Sequence, residues 1–301
     1  MKKNSETSNW LLAAGIAAVI CLGSCKKDNT LSDTSPTTTE ETTATLGATQ
    51  SDAETEGVYD DVFNITGSMN QNEAGEELGL GDGLPGPFMR SGGRGIDSAQ
   101  RCFTISVVPN IPGVFPKTVV IDFGAGCLGR DGKLRKGKIV SIYTAPMRVP
   151  GSKVSTTFVG YHVDSFHVQG THITENTSTS NLKGWKVTVL DGKVTNTNSN
   201  KWRTWNSLKQ FTQIEGNGTP NFPLDDVIKV TGGARGSNSA GHTWGSTIVE
   251  PLIKKFTCRW IVKGTVKVVK DAREALLDYG NGNCDNQATI TINGVTTTIT
   301  L

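Results

Sequence analysis

The alternation of apolar and polar positions divides the chain into an N-terminal part with little strand pattern and a long C-terminal part rich in it. From Cys102 onward, short runs of Val, Ile, Thr and aromatic residues are separated by Gly, Asn and Asp. Runs bounded by such turn residues are typical of β-strands. The one helix-like stretch, DAREALLD at 271–278, is too short to outweigh the strands beside it. We therefore predict an all-β body over 101–301.

Several dipeptides predict tight turns between these strands. Asp191-Gly192 and Asn293-Gly294 suit a type I′ hairpin turn, which needs positive φ at both central residues, and Asp164-Ser165 is a weaker example. The body is thus predicted to be an antiparallel meander of hairpins. The pattern leaves open whether the strands form one curved sheet, two sheets packed as a sandwich, or two related halves.

One phrase occurs twice in the body: DFGAGC, ending at Cys127, and DYGNGNC, ending at Cys284. In each copy another cysteine, Cys102 or Cys258, lies about 25 residues upstream, before the first of two strands. A glycine turn and a further hairpin follow each copy. We predict an internal pseudo-repeat that relates units at about 102–145 and 258–301.

The four body cysteines predict disulfide bonds. If each bracketed segment is a hairpin, its loop falls at NIPGVFP or KDAR, so Cys102 would face Cys127 and Cys258 would face Cys284. The alternative pairs Cys127 with Cys284 and Cys102 with Cys258, and spacing alone does not decide between them. Either connectivity is typical of an exported protein.

The glycines of the repeated phrase have two interpretations. As turn residues they let the chain bend sharply after Asp122 and Asp278. As backbone nests they would bind an anion or metal ion together with Asp131 or Asp285. We favour the turn.

The first 24 residues have the pattern of an export signal. Lys2 and Lys3 precede an apolar run at 11–22, which is too short to span a bilayer as a helix. Leu22-Gly23-Ser24-Cys25 resembles the lipobox of bacterial lipoproteins, and this resemblance implies that Cys25 becomes the lipidated first residue of the mature chain. A plain secretory signal is the alternative. Lys26 at the next position implies the outer membrane, without indicating which of its faces.

The segments between this signal and the body lack strand pattern. Residues 25–57 are dominated by Thr, Ser and acidic residues, so we predict a disordered tether that starts at the lipidated cysteine. In 58–100, the spacing of Val58, Val62, Ile65 and Met69 predicts a short amphipathic helix, and a glycine-rich loop follows it.

The body resembles a group of uncharacterised exported lipoproteins of Bacteroidetes-type bacteria over roughly residues 100–301. These proteins carry a DFGxGC phrase and a C-terminal unit with CRWIVxG, LDYGxGxCDN and a following NG turn. The resemblance implies export and lipid anchoring but no particular activity. The positions that carry it are 122–124, Cys127, 258–262, Gly264, 278–280, Gly282, 284–286 and 293–294.

Two constellations could bind a ligand. Across the predicted Asp164-Ser165 turn, His162 and His167 would stand opposite each other and could hold zinc or copper, with Asp164 or His172 as a third ligand. The alternative is two polar residues on a solvated sheet face.

The second constellation is the sequence KWRTW at 201–205. On a strand, Trp202 and Thr204 share one face, and Arg203 and Trp205 share the other. Exposed tryptophans beside arginine could stack on a glycan or contact a protein. The alternative is that these aromatic side chains pack in the core or cover a sheet edge.

The remaining sequence features favour no enzyme class. Nucleophile-elbow, zinc-protease and P-loop motifs are absent from the sequence, and a net charge of +2 gives no electrostatic indication of nucleic-acid binding. We expect a lipid-anchored, non-enzymatic binding or structural module of the outer membrane that needs no cofactor, with a glycan or an envelope protein as its partner. A glycan-binding accessory protein and a hydrolase with an unrecognised site are the alternatives.

Overall fold

The computed structural model describes residues 37–69, 78, 102–129, 131–218, 225–255, 257–258 and 260–301. The predicted signal peptide, Cys25 and the first part of the tether lie outside these ranges. The elements are α1 Thr37–Gly67, β1 Thr104–Val108, β2 Lys117–Asp122, β3 Cys127–Leu128, β4 Leu134–Tyr143, β5 Lys153–Val163, β6 Phe166–Asn176, β7 Gly184–Asn196, β8 Trp202–Glu215, β9 Val227–Asn238, β10 Thr243–Lys255, β11 Ile261–Lys270, β12 Arg273–Asn281, β13 Gln287–Ile292 and β14 Val295–Thr300.

All strands belong to one 14-stranded antiparallel sheet, in which spatial order follows chain order. The short β3 pairs only with β4 and lies off the main path. Within the described residues, the terminal strands β1 and β14 are not paired with each other, so the sheet is not closed. The prediction of an all-β antiparallel meander is confirmed, and a single sheet forms rather than a sandwich.

Two of the three predicted turns join consecutive strands, and the third does not. Asn293-Gly294 joins β13 to β14, with φ of 51° and 79°, and Asp164-Ser165 joins β5 to β6. Asp191-Gly192, however, lies inside β7, where the pairing with β8 shifts register, so the predicted hairpin there is wrong. A β-carbon on Gly192 would lie 2.6 Å from the hydroxyl of Tyr59 in α1. It would also lie 2.5 Å from the carbonyl oxygen of Trp205 in β8, so a side chain here would clash with both the neighbouring strand and the helix.

Both predicted disulfides are present. Cys102 bonds Cys127 and Cys258 bonds Cys284, with Cα atoms 5.2 and 5.6 Å apart. Each bond links the two ends of a hairpin segment, as the local reading of the repeat predicted.

The repeated phrase forms the same local turn in both copies. Oδ1 of Asp122 accepts the N–H of Gly124 at 2.9 Å, and Oδ1 of Asp278 accepts the N–H of Gly280 at 2.7 Å. These are Asx turns, in which a carboxylate replaces a backbone acceptor. In the first copy this turn ends β2 at Asp122, and in the second it lies within β12, where the pairing with β11 shifts register. The phrase thus recurs because it forms the same local turn.

The helix α1 is much longer than predicted. Val58, Val62, Ile65 and Met69 are buried in it or just after it, but α1 begins at Thr37 and is 31 residues long. The prediction of a disordered tether is therefore wrong for residues 37–57. That prediction counted only apolar surface, whereas this segment is ordered by charged contacts with the sheet.

The sheet curves around α1. Nearly every residue from Asp61 to Met69 is buried, and strands from β4 to β13 contact the helix. A single sheet can cover a helix on most sides only by bending, and β-bulges supply such bends. At one bulge, Gly160 and Tyr161 of β5 stand opposite Gly137 of β4. Gly137 has φ of 79°, and an added β-carbon there would meet the carbonyl oxygen of Gly160 at 2.1 Å.

Candidate functional site

The interior of the molecule is an interface between an acidic helix and a basic, aromatic sheet face. We call the face that contacts α1 the inner face and the opposite one the outer face. Acidic side chains of α1 meet cationic or indole groups of the inner face. The observed partners are Glu41 with Arg273, Asp52 with Trp205 and Trp244, Glu54 with Arg203, Glu56 with Lys209, Asp60 with Lys254, and Asp61 with Lys133 and Arg135.

Asp52 is bound by two indoles. The N–H groups of Trp205 and Trp244 both donate to its Oδ1, at 2.9 and 3.0 Å. The ring of Trp205 also stacks on Tyr59, with centroids 5.5 Å apart and planes 6° from parallel. Since Asp52 is only 2% exposed, the two indoles replace the water that a carboxylate normally binds.

Two further acids follow Asp52 along the same side of α1, at intervals of four residues. Glu56 pairs with Lys209, and both side chains are 6% exposed; Asp60 pairs with Lys254 at 2.6 Å. Burial raises the pKa of Glu56, the Lys209 ammonium opposes that rise, and the neighbouring Asp60 carboxylate adds to it. Asp52, Glu56 and Asp60 thus present three carboxylates to two ammonium groups and two indole N–H donors.

Arg135 on β4 occupies the centre of a second buried network. Its guanidinium donates to both carboxylate oxygens of Asp61, at 3.0 and 2.5 Å, and to Asp131 at 3.0 and 2.6 Å. Burial alone would lower the pKa of Arg135, but hydrogen bonds to these carboxylates hold it above its ordinary value. Asp131 is thus engaged in an ion pair with Arg135, so the glycine nest that was the alternative to a turn is not what occupies its carboxylate.

The inner face also holds a fully buried histidine. His172 on β6 is 0% exposed, and its ring nitrogens have no hydrogen-bond partner among the described residues. Burial lowers its pKa to about 4, although the Asp60 carboxylate opposes that change. Its imidazole is therefore neutral at neutral pH.

The predicted aromatic site is divided between the two faces. Arg203 and Trp205 share the inner face, as expected, where Arg203 pairs with Glu54 and Trp205 is 2% exposed. Trp202 is on the outer face with Lys193 Nζ 5.5 Å from its ring centre. Trp205 is thus covered by α1 and does not form an exposed stacking surface with Trp202.

The predicted histidine pair forms, without the third ligand. His162 and His167 are register partners on β5 and β6, and their rings stack with centroids 4.6 Å apart. Asp164 instead accepts the N–H of Leu134 at 2.9 Å, and His172 is buried on the inner face. Within the described ranges no group of three or more metal-ligating side chains is found.

The sequence interpretation missed the acids of α1 and their partners. A signal was available in Asp52, Glu56 and Asp60, which recur at four-residue spacing ahead of the apolar positions that predicted the helix. Lys209 and Lys254, the partners of Glu56 and Asp60, carry no comparable signal, because single cations occur on many exposed strand positions.

Among the parts of the chain that the structure describes, no helix combines the length and apolar character needed to cross a membrane. Comparison of the chain with protein-family models, with curated proteins and with solved structures finds no match. The likeness to exported lipoproteins and the lipidation of Cys25 therefore stay predictions.

Proposed function

We propose that this chain is an exported outer-membrane lipoprotein, anchored through Cys25, whose body is a non-enzymatic binding or structural module. The observation that carries the proposal is the pairing of all four body cysteines in two disulfides. Such bonds persist in oxidising compartments outside the cytoplasm. The signal pattern of residues 1–24 and the lipobox-like 22–25 agree with this location.

The interior contacts favour a structural role for the buried charges. Acid–base chemistry needs a carboxylate or a histidine that a substrate can reach. In this interior, Asp61 is bound to Arg135, Glu56 to Lys209, and Asp52 to two indoles. These groups hold α1 in the sheet.

The position of α1 suggests how the body would be attached to its anchor. Only eleven residues, 26–36, separate the predicted lipid attachment site from the start of the helix at Thr37. Tension along the chain would therefore act on α1, which ion pairs and buried side chains hold along its length. On this proposal the helix is the mechanical link between the anchor and the sheet.

Metabolic labelling with a radioactive fatty acid tests the anchor. The full-length protein expressed in a Gram-negative host should become labelled and sediment with the outer membrane. Cys25→Ser should abolish the label, whereas the matched variant Cys21→Ser, inside the signal, should retain it. Equal labelling of the two variants, or a native protein found unlabelled in the cytosol with reduced cysteines, would refute the proposal.

Protease treatment of intact cells then distinguishes the two faces of the membrane. Cleavage of the body while a periplasmic control protein survives would place the body outside the cell, where glycans or neighbouring surfaces are candidate partners. Protection until the outer membrane is opened would place it in the periplasm, with envelope proteins as candidates.

A further inference from the structure

Two neighbouring hairpin loops present the same type of turn at one end of the sheet. They contain Ile111-Pro112-Gly113-Val114, between β1 and β2, and Val149-Pro150-Gly151-Ser152, between β4 and β5. In each turn the fourth N–H donates to the first carbonyl, at 3.3 and 3.1 Å, and the glycine has φ of 75° or 80°. Proline at the second position and glycine at the third are typical of type II turns. The Pro-Gly sequence thus gives both loops the same turn conformation.

Both turns expose aliphatic side chains at the same end of the sheet. Ile111 is 58% exposed, and Val114 and Val149 are each 42% exposed. Strands β2 and β4 are direct neighbours and pair Lys117 with Tyr143 at this end, so the two loops leave the sheet side by side. Adjacent exposed aliphatic groups are a feature of interaction surfaces.

Contacts with buried side chains hold the loop between β1 and β2 in place. Lys117 is 1% exposed, and its ammonium donates to the carbonyl oxygens of Pro109 and Ile111, at 3.0 and 2.6 Å. Phe115 packs against the core on the inner side. Such a loop presents its apolar tip without first having to be ordered, which reduces the entropic penalty of binding.

The charged side chains within the two loops themselves are cationic. Residues 102–116 contain no charged side chain, and residues 144–153 contain Arg148 and Lys153 but no acid. Arg148 is exposed directly beside Val149. Lys153 is 53% exposed and forms a long ion pair with Glu175, with Nζ and Oε2 3.6 Å apart. Aliphatic tips with flanking cations fit an anionic lipid surface, which attracts the cations and accepts the aliphatic groups.

We propose that the two turns form a membrane-contact surface that inserts Ile111, Val114 and Val149 into the interfacial layer of a bilayer containing anionic lipid. Arg148 and Lys153 lie at the level of the headgroups. A bilayer fits these separate protruding tips better than a protein does, because protein interfaces rely on Trp, Tyr and Arg anchors in complementary pockets. The surface would act with or without lipid on Cys25, so it is independent of the function proposed above.

Vesicle flotation tests this surface in the full-length chain carrying Cys25→Ser, so that no lipid is attached. The protein should float with phosphatidylcholine vesicles that contain phosphatidylglycerol. Adding Ile111→Asp and Val149→Asp should lower the bound fraction by at least about fivefold. Leu208→Asp is the matched control, since Leu208 is 57% exposed in the middle of β8, and it should leave flotation unchanged. Every variant keeps the same N-terminal segment, so differences report on the turns.

Two further variants keep the test decisive. Should the aspartate pair fail to fold by near-UV circular dichroism, Ile111→Ser with Val149→Ser replaces it and should still weaken binding. Arg148→Glu should reduce binding to anionic vesicles and leave binding to phosphatidylcholine alone unchanged. The proposal is overturned if the turn variants float like the Leu208 control. It is also overturned if a photo-crosslinking residue at Val114 captures a protein in cells instead of lipid.

Discussion

Asp61 of α1 and Arg135 of β4 form a buried ion pair with two hydrogen bonds across 74 positions of sequence. Asp61 is 4% exposed and Arg135 is 0% exposed, and Asp131 binds the same guanidinium. Because both charges lie away from water, each needs the other to compensate its lost hydration. This pair joins the helix to the sheet at a point that hydrophobic patterning did not indicate.

Replacing Asp61 by leucine should strongly destabilise the fold. The substitution leaves Arg135 buried with Asp131 as its remaining described carboxylate partner, and breaking a buried pair is expected to lower the free energy of unfolding by about 3–5 kcal/mol. Urea denaturation followed by circular dichroism measures the change. Glu274→Ala is the control, since Glu274 is 60% exposed in its pair with Lys267 and should contribute less than about 1 kcal/mol. Equal effects of the two substitutions would contradict the structural role of the Asp61 pair.

Asp52 should control the environment of two tryptophans at once. Asp52→Leu removes the acceptor of the Trp205 and Trp244 indoles, and leaving two buried donors unpaired should lower the free energy of unfolding by about 2–4 kcal/mol. Asp52→Asn keeps an acceptor oxygen and should be milder. Urea titration gives the stability, and the tryptophan emission spectrum should change in the leucine variant. Identical denaturation midpoints for both variants would show that the two indole bonds do not stabilise the fold.

His172 should make the protein sensitive to acid. Its pKa is lowered by burial to about 4, from an ordinary value near 6.5, so the unfolded chain binds a proton that the folded chain excludes. The stabilising contribution of the neutral His172 is complete above about pH 6.5 and is lost as the pH falls toward 4. By pH 4.5 the free energy of unfolding has fallen by about 2–3 kcal/mol for this reason.

The His172→Leu variant isolates this effect. Its stability should fall less than that of the native protein between pH 7 and pH 4.5, and the two curves should run parallel above pH 7. Asp226 acts in the opposite direction, because burial raises its pKa to about 6 and its contribution is lost as the pH rises. Asp226 is present in both proteins and cancels in the difference. Parallel curves over the whole range would contradict a neutral buried imidazole.

Each disulfide should contribute to stability separately. Their sequence separations of 25 and 26 residues predict about 3 kcal/mol per bond in the chain-entropy model. The double variant Cys258→Ser with Cys284→Ser should therefore unfold at lower urea than the native protein, and should lose further stability with a reductant that opens Cys102–Cys127. Thiol titration of the unfolded native protein should find the four body cysteines oxidised. Denaturation curves unaffected by reductant would contradict this prediction.

Local sequence signals were sufficient to predict the antiparallel sheet and most of its hairpins. The Asn293-Gly294 turn and both cysteine pairings depend on residues within one hairpin segment, so their conformation could be inferred from a short window. The turns at Asp122 and Asp278 were likewise encoded locally, by an aspartate followed two residues later by glycine. At Asp191-Gly192 the predicted hairpin does not form, because these residues lie at a register shift inside β7, where the β8 backbone and Tyr59 of α1 both approach Gly192 closely.

The sequence by itself determined the antiparallel meander and most of its turns, because these depend on contacts between neighbouring strands. It left two disulfide connectivities open, and the structure shows the one within each hairpin segment. Only the tertiary structure decided that residues 37–57 are helical and that Trp205 is buried. The acids of α1 find partners as far away as Arg273, 232 positions along the chain. A polar segment without apolar periodicity becomes ordered only when such partners are brought together in the fold. Local sequence does not predict which cations lie on the face of the curved sheet that contacts α1.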